Sequence, residues 1–402
     1  MVRQRSERKP NQPENLRRIT RFKWIVGLGL AVSFLIAPGI WLERQFFTPM
    51  PIADAFRPLP PPLDLVVFVA LLVLLGAILF ARRPRPLILA WVVLFALRTL
   101  WDQATWQPFL LMYAFFLFTI AFAAWDEPQR DRNLNAAVLN TGRFVVVTIY
   151  VWSGLSKLSF GFVHFVLPEL LQSAGVALPT ALVVRLGLLF PLGEIAIGLG
   201  LLLPRTRHLC LAAAIFMHAF VLLAVGPLGQ NYNTVVWPWN VAMIAILVVL
   251  FRGTAEVSAR AIVFNRRFPL HLAAVALFGV LPGFSYLGLW PTYLSFRLYS
   301  DQYHWATISM TPAVRLKLPP RSREEVTVAS DDDGYDGHLN VAYWSEHELG
   351  AIIPPEPRVF REVARRVCAL ADDPLDVRLV VTAPPDRWTG EETRTTRYCD
   401  AP

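Results

Sequence analysis

Tyr150, Ser153 and Lys157 bring a phenol, a hydroxyl and an ammonium into one apolar stretch, YVWSGLSKL at 150–158. At i, i+3 and i+7 they share one face of a helix, and Gly154 beside that face lets another helix backbone come close. A charge at membrane depth costs several kcal/mol, so such a residue is usually tied to a partner or a function. The plain alternative is a lysine whose four-carbon stem snorkels to the headgroups.

Other polar residues recur at similar depth. At a rise of about 1.5 Å per residue, Lys157 lies roughly 21 Å from Arg143, Arg98 roughly 20 Å from Arg85, and Asn240 about 18 Å from Arg252. On the same count Glu194 is about 16 Å from Arg205, and His218 about 16 Å from Arg207. In a hydrocarbon core of about 30 Å, all five fall between the midplane and the outer half. Five polar residues on five different spans suggest a polar cavity opening outward. Each also has a plainer reading. Arg98 and Asp102 are i, i+4 and can neutralise one another. Glu194, between Pro191 and Gly198, is either the counter-ion of Lys157 or a neutral carboxyl. His218 can be a core histidine bonded to a backbone carbonyl. Asn233, Trp237 and Asn240, at i, i+4 and i+7 around Pro238, can glue helices together or hold a carbonyl or quinone oxygen.

The elements that must position these groups follow from composition. Of 402 residues, 55% are hydrophobic and 17% charged, well below the charge of a soluble globule. Runs of about 18 to 20 apolar residues recur, as in repeated membrane spans. They predict an all-α polytopic membrane bundle of about nine transmembrane helices, at 22–42, 63–81, 85–101, 107–125, 140–160, 180–203, 207–226, 234–251 and 268–288. Alternate loops carry Arg82, Arg83 and Arg85; Arg130 and Arg132; Arg205 and Arg207; and Arg252, Arg260, Arg266 and Arg267. The opposite loops carry only Arg44 and Arg57 as basic residues. That asymmetry predicts a cytoplasmic amino terminus, an extracytoplasmic carboxyl terminus and residence in the cell membrane. The net charge of +8 thus reads as a topology signal, with membrane lipid as partner and nucleic acid set aside. Residues 1–21 read as a basic cytoplasmic tail, 22–290 as the bundle, and the first span as uncleaved. The proline-rich 46–62 reads as an interfacial lid, and 159–179 as a short interfacial helix.

Residues 291–402 turn polar and read as a small α+β extracytoplasmic domain. Alternation predicts strands at 295–299, 314–318, 325–328 and 377–381, and the apolar stripe of 358–371 predicts an amphipathic helix. Cys368 and Cys399 would both face an oxidising compartment, which predicts a disulfide; Cys210 reads as a buried free thiol. No cysteine has a ligand pattern nearby, so no metal is expected.

The segment Tyr150-Val-Trp-Ser-Gly-Leu-Ser-Lys157-Leu resembles the Tyr-x-x-small-Gly-hydrophobic-x-Lys-Leu segment of vitamin K-dependent gamma-carboxylases and the wider HTTM membrane family. The Arg205-Thr-Arg207 turn and the following span with central His218 are similar in order, over residues 20–260. The resemblance implies Lys157 as the base that deprotonates a reduced, vitamin K-like quinone. His218 would then be a second catalytic group, with Tyr150, Ser153, Glu194, Asn233, Trp237 and Asn240 around the substrate. Taking an amine out of water favours its neutral, basic form, which suits that step. The C-terminal part of about 110 residues departs from the family, whose lumenal region is much larger. Glu194 and the Gly-Leu-Gly-Leu-Leu-Leu run also look like DoxX-type proteins, which implies instead a non-catalytic, redox-associated or scaffold component.

Overall fold

The computed structural model describes residues 12–42, 46–47, 49–53, 56, 62–125, 133–266, 268–331 and 333–399. Most of the basic tail, parts of the proline-rich 46–62 stretch, and Arg44, Arg57, Arg130, Arg132 and Arg267 lie outside them.

Helix follows helix through the first 290 residues. In chain order they are α1 (Gln12–Ile36), α2 (Leu63–Phe80), α3 (Arg85–Trp101), α4 (Pro108–Ala121) and α5 (Leu134–Lys157). After a π turn at Phe162–Val166 come α6 (Leu167–Ser173), α7 (Thr180–Leu186), α8 (Leu189–Leu202), α9 (Arg207–Val225) and α10 (Val236–Phe251). The short α11 (Ala259–Val263) precedes α12 (Pro269–Ala274), which runs on as π and 3-10 turns to Leu287. Pro282, which lacks an N–H, sits at the start of the 3-10 part.

Helix occupies all nine predicted places, and six of those runs are long and apolar enough to cross a membrane. The other three, α3, α4 and α10, have 17, 14 and 16 residues. Fourteen residues span only about 21 Å, short of a core of about 30 Å. The chain is thus a membrane-type helical assembly with a sheet domain. α5 is the most buried of the long apolar helices and packs most extensively against α8.

The C-terminal part holds an antiparallel sheet in the order β2-β3-β1-β4-β5. The strands are β1 (Trp305–Met310), β2 (Thr327–Val328), β3 (Gly337–Asn340), β4 (Val377–Thr382) and β5 (Arg394–Tyr398). Between them lie α13 (Pro312–Lys317), α14 (Pro320–Glu324), α15 (Val341–Leu349) and α16 (Pro357–Cys368). Two predicted strands are corrected. Stretch 314–318 belongs to α13 and its cap: Val314 and Leu318, i and i+4, are buried while Leu316 is 60% exposed, so the alternation is one face of a helix. Stretch 295–299 is a 3-10 end followed by left-handed Phe296 and Tyr299, which no strand accommodates. The central strand β1 was missed.

This domain is bolted to the bundle. Gln107 Nε2 donates to Ile352 O at 2.8 Å, Arg358 Nε to Gln103 Oε1 at 2.7 Å, and Phe160 N to Arg387 O at 2.7 Å. A Cβ on Gly39 would stand 2.7 Å from Leu349 Cα, so the end of α15 lies directly on the turn after α1. Cys368 and Cys399 are joined by a disulfide that ties the end of α16 to the residue after β5; Cys210 is free.

Candidate functional site

Lys157 ends α5 and turns inward. Its Nζ donates to Glu194 Oε2 at 2.8 Å, Glu194 Oε1 at 3.1 Å and Ser153 Oγ at 2.6 Å. The side chains of Lys157 and Glu194 are 15% and 10% exposed, so the charges meet largely out of water. The helix crossing beneath is made by two glycines. A Cβ on Gly154 would lie 2.6 Å from Ile195 Cγ1 and 2.7 Å from Pro191 O; one on Gly198 would lie 2.8 Å from Tyr150 Cβ. Only hydrogen at these positions lets α5 and α8 approach closely enough for the pair to form.

A second set lies one to two turns deeper. Tyr150 OH is 2.7 Å from His218 Nε2, and His218 Nδ1 is 2.7 Å from Asn240 Oδ1. Asn240 Nδ2 donates to Val236 O at 2.8 Å, which leaves Oδ1 as the acceptor. A neutral His218 therefore donates from Nδ1 and accepts the Tyr150 proton at Nε2. One continuous chain, phenol to imidazole to amide, links α5, α9 and α10. Glu194 is within electrostatic reach of both Tyr150 and His218.

The remaining predicted residues are elsewhere. Trp237 Nε1 donates to Val225 O at 3.0 Å and Tyr232 O at 3.2 Å, pinning the loop between α9 and α10. Asn233 belongs to the junction with the C-terminal domain: its N donates to Glu346, and its Nδ2 to Tyr299 OH at 3.3 Å. Arg98 pairs with Asp102 at 3.4 Å and donates to Ile40 O and Trp41 O at 3.2 Å each, a structural knot as the i, i+4 spacing suggested.

Lys157, Glu194, His218 and Asn240 thus fall into two hydrogen-bonded sets, with Glu194 within electrostatic reach of both. A cavity of about 450 Å³ lies where the bundle meets the C-terminal domain. Of the sequence-derived candidates only Asn233 lines it; Lys157, Glu194, His218 and Asn240 do not. Its other polar walls, including Asp301, Tyr303 and His304, went unnoticed in the sequence. The signal available was the density of tyrosine between 286 and 303. Burial pushes the Asp301 carboxyl up to about 6, against a hydrogen bond from Trp305 and with Glu392 adding to the rise. Burial likewise raises Glu346, although the Asn233 N–H opposes it. Among the described residues no His, Cys, Asp and Glu group forms a metal-binding cluster.

No family model, curated protein or solved structure matches the chain significantly.

Proposed function

We propose that this is an integral membrane protein of nine spans in the cell membrane, amino terminus inside and C-terminal domain outside, of the non-catalytic DoxX-like kind. In this reading the Lys157 layer clasps α5 to α8, and the outer domain with its junction is the working surface. The observation that carries it is the saturated ammonium. Its three N–H donors have three acceptors, Ser153 Oγ and the two oxygens of Glu194. A general base needs a free lone pair turned toward its substrate, and every polar contact of this nitrogen is to the protein itself. While the pair is closed, the hydroxyl of a reduced quinone finds no free lone pair on Lys157 to accept its proton, and a quinone carbonyl finds no free N–H there.

The second reading is a carboxylase-like enzyme acting on a quinone-like lipophilic substrate. The Tyr150–His218–Asn240 chain favours it, because an imidazole that donates at one nitrogen and accepts at the other can pass a proton. Mass spectrometry of lipids and quinones retained by the detergent-extracted full chain separates the two, with melting curves of Lys157→Met and His218→Gln. The clasp predicts no stoichiometric quinone and a lowered melting temperature in Lys157→Met. A quinone held at about one per chain, and lost in a normally melting His218→Gln, would replace the clasp by the enzyme.

A further inference from the structure

The junction cavity, of about 450 Å³, is within the range of about 300–1,000 Å³ usual for small-molecule sites. Four stretches far apart in the chain build it: 165–170, 230–233, 293–306 and 342–360. Aromatic side chains recur on the wall, with Tyr232, Tyr293, Tyr299 and Tyr303 among them. Its carboxylates are Glu169 and Asp301, and no lysine or arginine lines it. Glu346 does not line the cavity but lies within electrostatic reach of Tyr232 and Tyr293, and its Oε2 is buried without a hydrogen-bond partner. His304 Nδ1, on the wall, is buried and unpartnered too. Burial lowers the proton affinity of that imidazole; Glu356 opposes the shift and Arg297, within electrostatic reach, adds to it.

The backbone is forced into place around this cavity. The non-glycine residues with left-handed backbone among the described residues are Asn231, Asn233, Phe296, Tyr299 and Asp301. Three of them, Asn233, Tyr299 and Asp301, line the cavity. Each such conformation costs on the order of 1–3 kcal/mol and persists only where the surroundings over-determine it. The turns at 231–233 and 296–301 therefore hold these side chains at the wall against the local backbone preference.

We propose that this cavity binds an organic ammonium group, carried by a small free amine or by an amine-bearing lipid headgroup. Aromatic rings attract a cation through their quadrupoles, and Glu169 and Asp301 supply negative charge on the wall itself, which no lysine or arginine lines. The chemistry of the wall suits both sources of the ammonium, and Phe165 on it is 61% exposed. The site does not depend on how the Lys157 layer works.

The test uses the full chain in an amine-free detergent, with tetramethylammonium and choline as soluble probes and sorbitol as a neutral polyol of similar size. Nanodiscs containing or lacking phosphatidylcholine provide the lipid arm, read by protection of the junction against hydrogen exchange. Binding of the soluble probes, weakened about tenfold or more in Asp301→Asn and in Tyr303→Leu, supports a free amine. Protection only in phosphatidylcholine discs, lost in the same variants, supports the headgroup. Glu169→Gln gives a second carboxylate variant should Asp301→Asn fold poorly, with the melting curve and the intact Cys368–Cys399 bond as folding controls. Preference for sorbitol, or no binding in any arm, overturns the proposal, as does unchanged affinity in all three variants.

Discussion

Lys157 and Glu194 illustrate why a buried charge is judged by its partners. Either alone would be a charge stranded among apolar side chains; together, with Ser153, they leave no ammonium proton without an acceptor. Removing one partner strands the other, so Lys157→Met and Glu194→Gln should each cost about 3–5 kcal/mol in unfolding experiments in detergent. The double variant Lys157→Met, Glu194→Leu should recover most of that loss. Recovery would identify a clasp; a double variant as unstable as the worse single one would show that the charges hold something besides each other. Asp301 gives a pH dependence of known sign. Its carboxyl, at about 6 in the folded chain, binds its proton more tightly than the unfolded carboxyl near about 4. Its contribution to stability is therefore greatest at low pH and declines as pH rises from about 4 through about 6. Ammonium binding needs the carboxylate, so affinity should weaken as pH falls through about 6 and should lose that dependence in Asp301→Asn. The groups facing Asp301 are Trp305, which hydrogen-bonds to it, Glu392 ahead of β5, and Tyr303; Glu169 and His304 share the cavity wall. A tetramethylammonium titration from about pH 5 to pH 8 measures it.

At the scale of elements, two devices organise the bundle. The first is the glycine crossing of α5 and α8. Gly154→Leu should destabilise by at least about 1–3 kcal/mol, because its first carbon already meets Ile195 and Pro191 O. Gly193→Ala on the same α8 is the control: nothing lies within 4 Å of its added carbon, so its melting should stay near that of the parent. The second device is a set of cations at helix carboxyl ends. Lys23 donates to Ile78 O and Leu79 O at 2.9 Å each, at the end of α2. Arg207 donates to Leu201 O and Leu202 O at 2.8 Å each, at the end of α8, and Arg143 to Leu250 O at 2.6 Å, at the end of α10. These carbonyls have no partner within their own helices and carry the negative end of the dipole, so a cation suits them twice over. Arg143 and Arg207 therefore fasten one helix to the carboxyl end of another. Arg207→Gln should lower the melting temperature, by the equivalent of at least about 1–3 kcal/mol for orphaned buried carbonyls.

For the whole molecule, topology follows from which end each helix starts. α1, α3, α5 and α9 begin at the end where α2, α8 and α10 finish, and Lys23, Arg143 and Arg207 lie there, opposite the C-terminal domain. Reporter fusions at residue 295 and within 255–265 should therefore fall on opposite sides of the membrane. Finding both on one side would end the nine-span proposal. Local pattern in the sequence determined the membrane class, the places of the helices, the amphipathic helix within 358–371 and the pairing of two cysteines in one polar domain. These rest on periods of a few residues and on composition, which do not depend on distant partners. Short alternations such as 314–318 were misread because period two over five residues also fits one face of a helix. Only the tertiary structure decided whether Lys157 met a carboxylate or empty space, because its partner lies 37 residues away across a crossing set by two glycines. It alone assembled the junction cavity, whose walls come from stretches between 165 and 360. A wall of that kind leaves no local period, since each stretch contributes one or two side chains whose meeting depends on how the helices and the sheet pack.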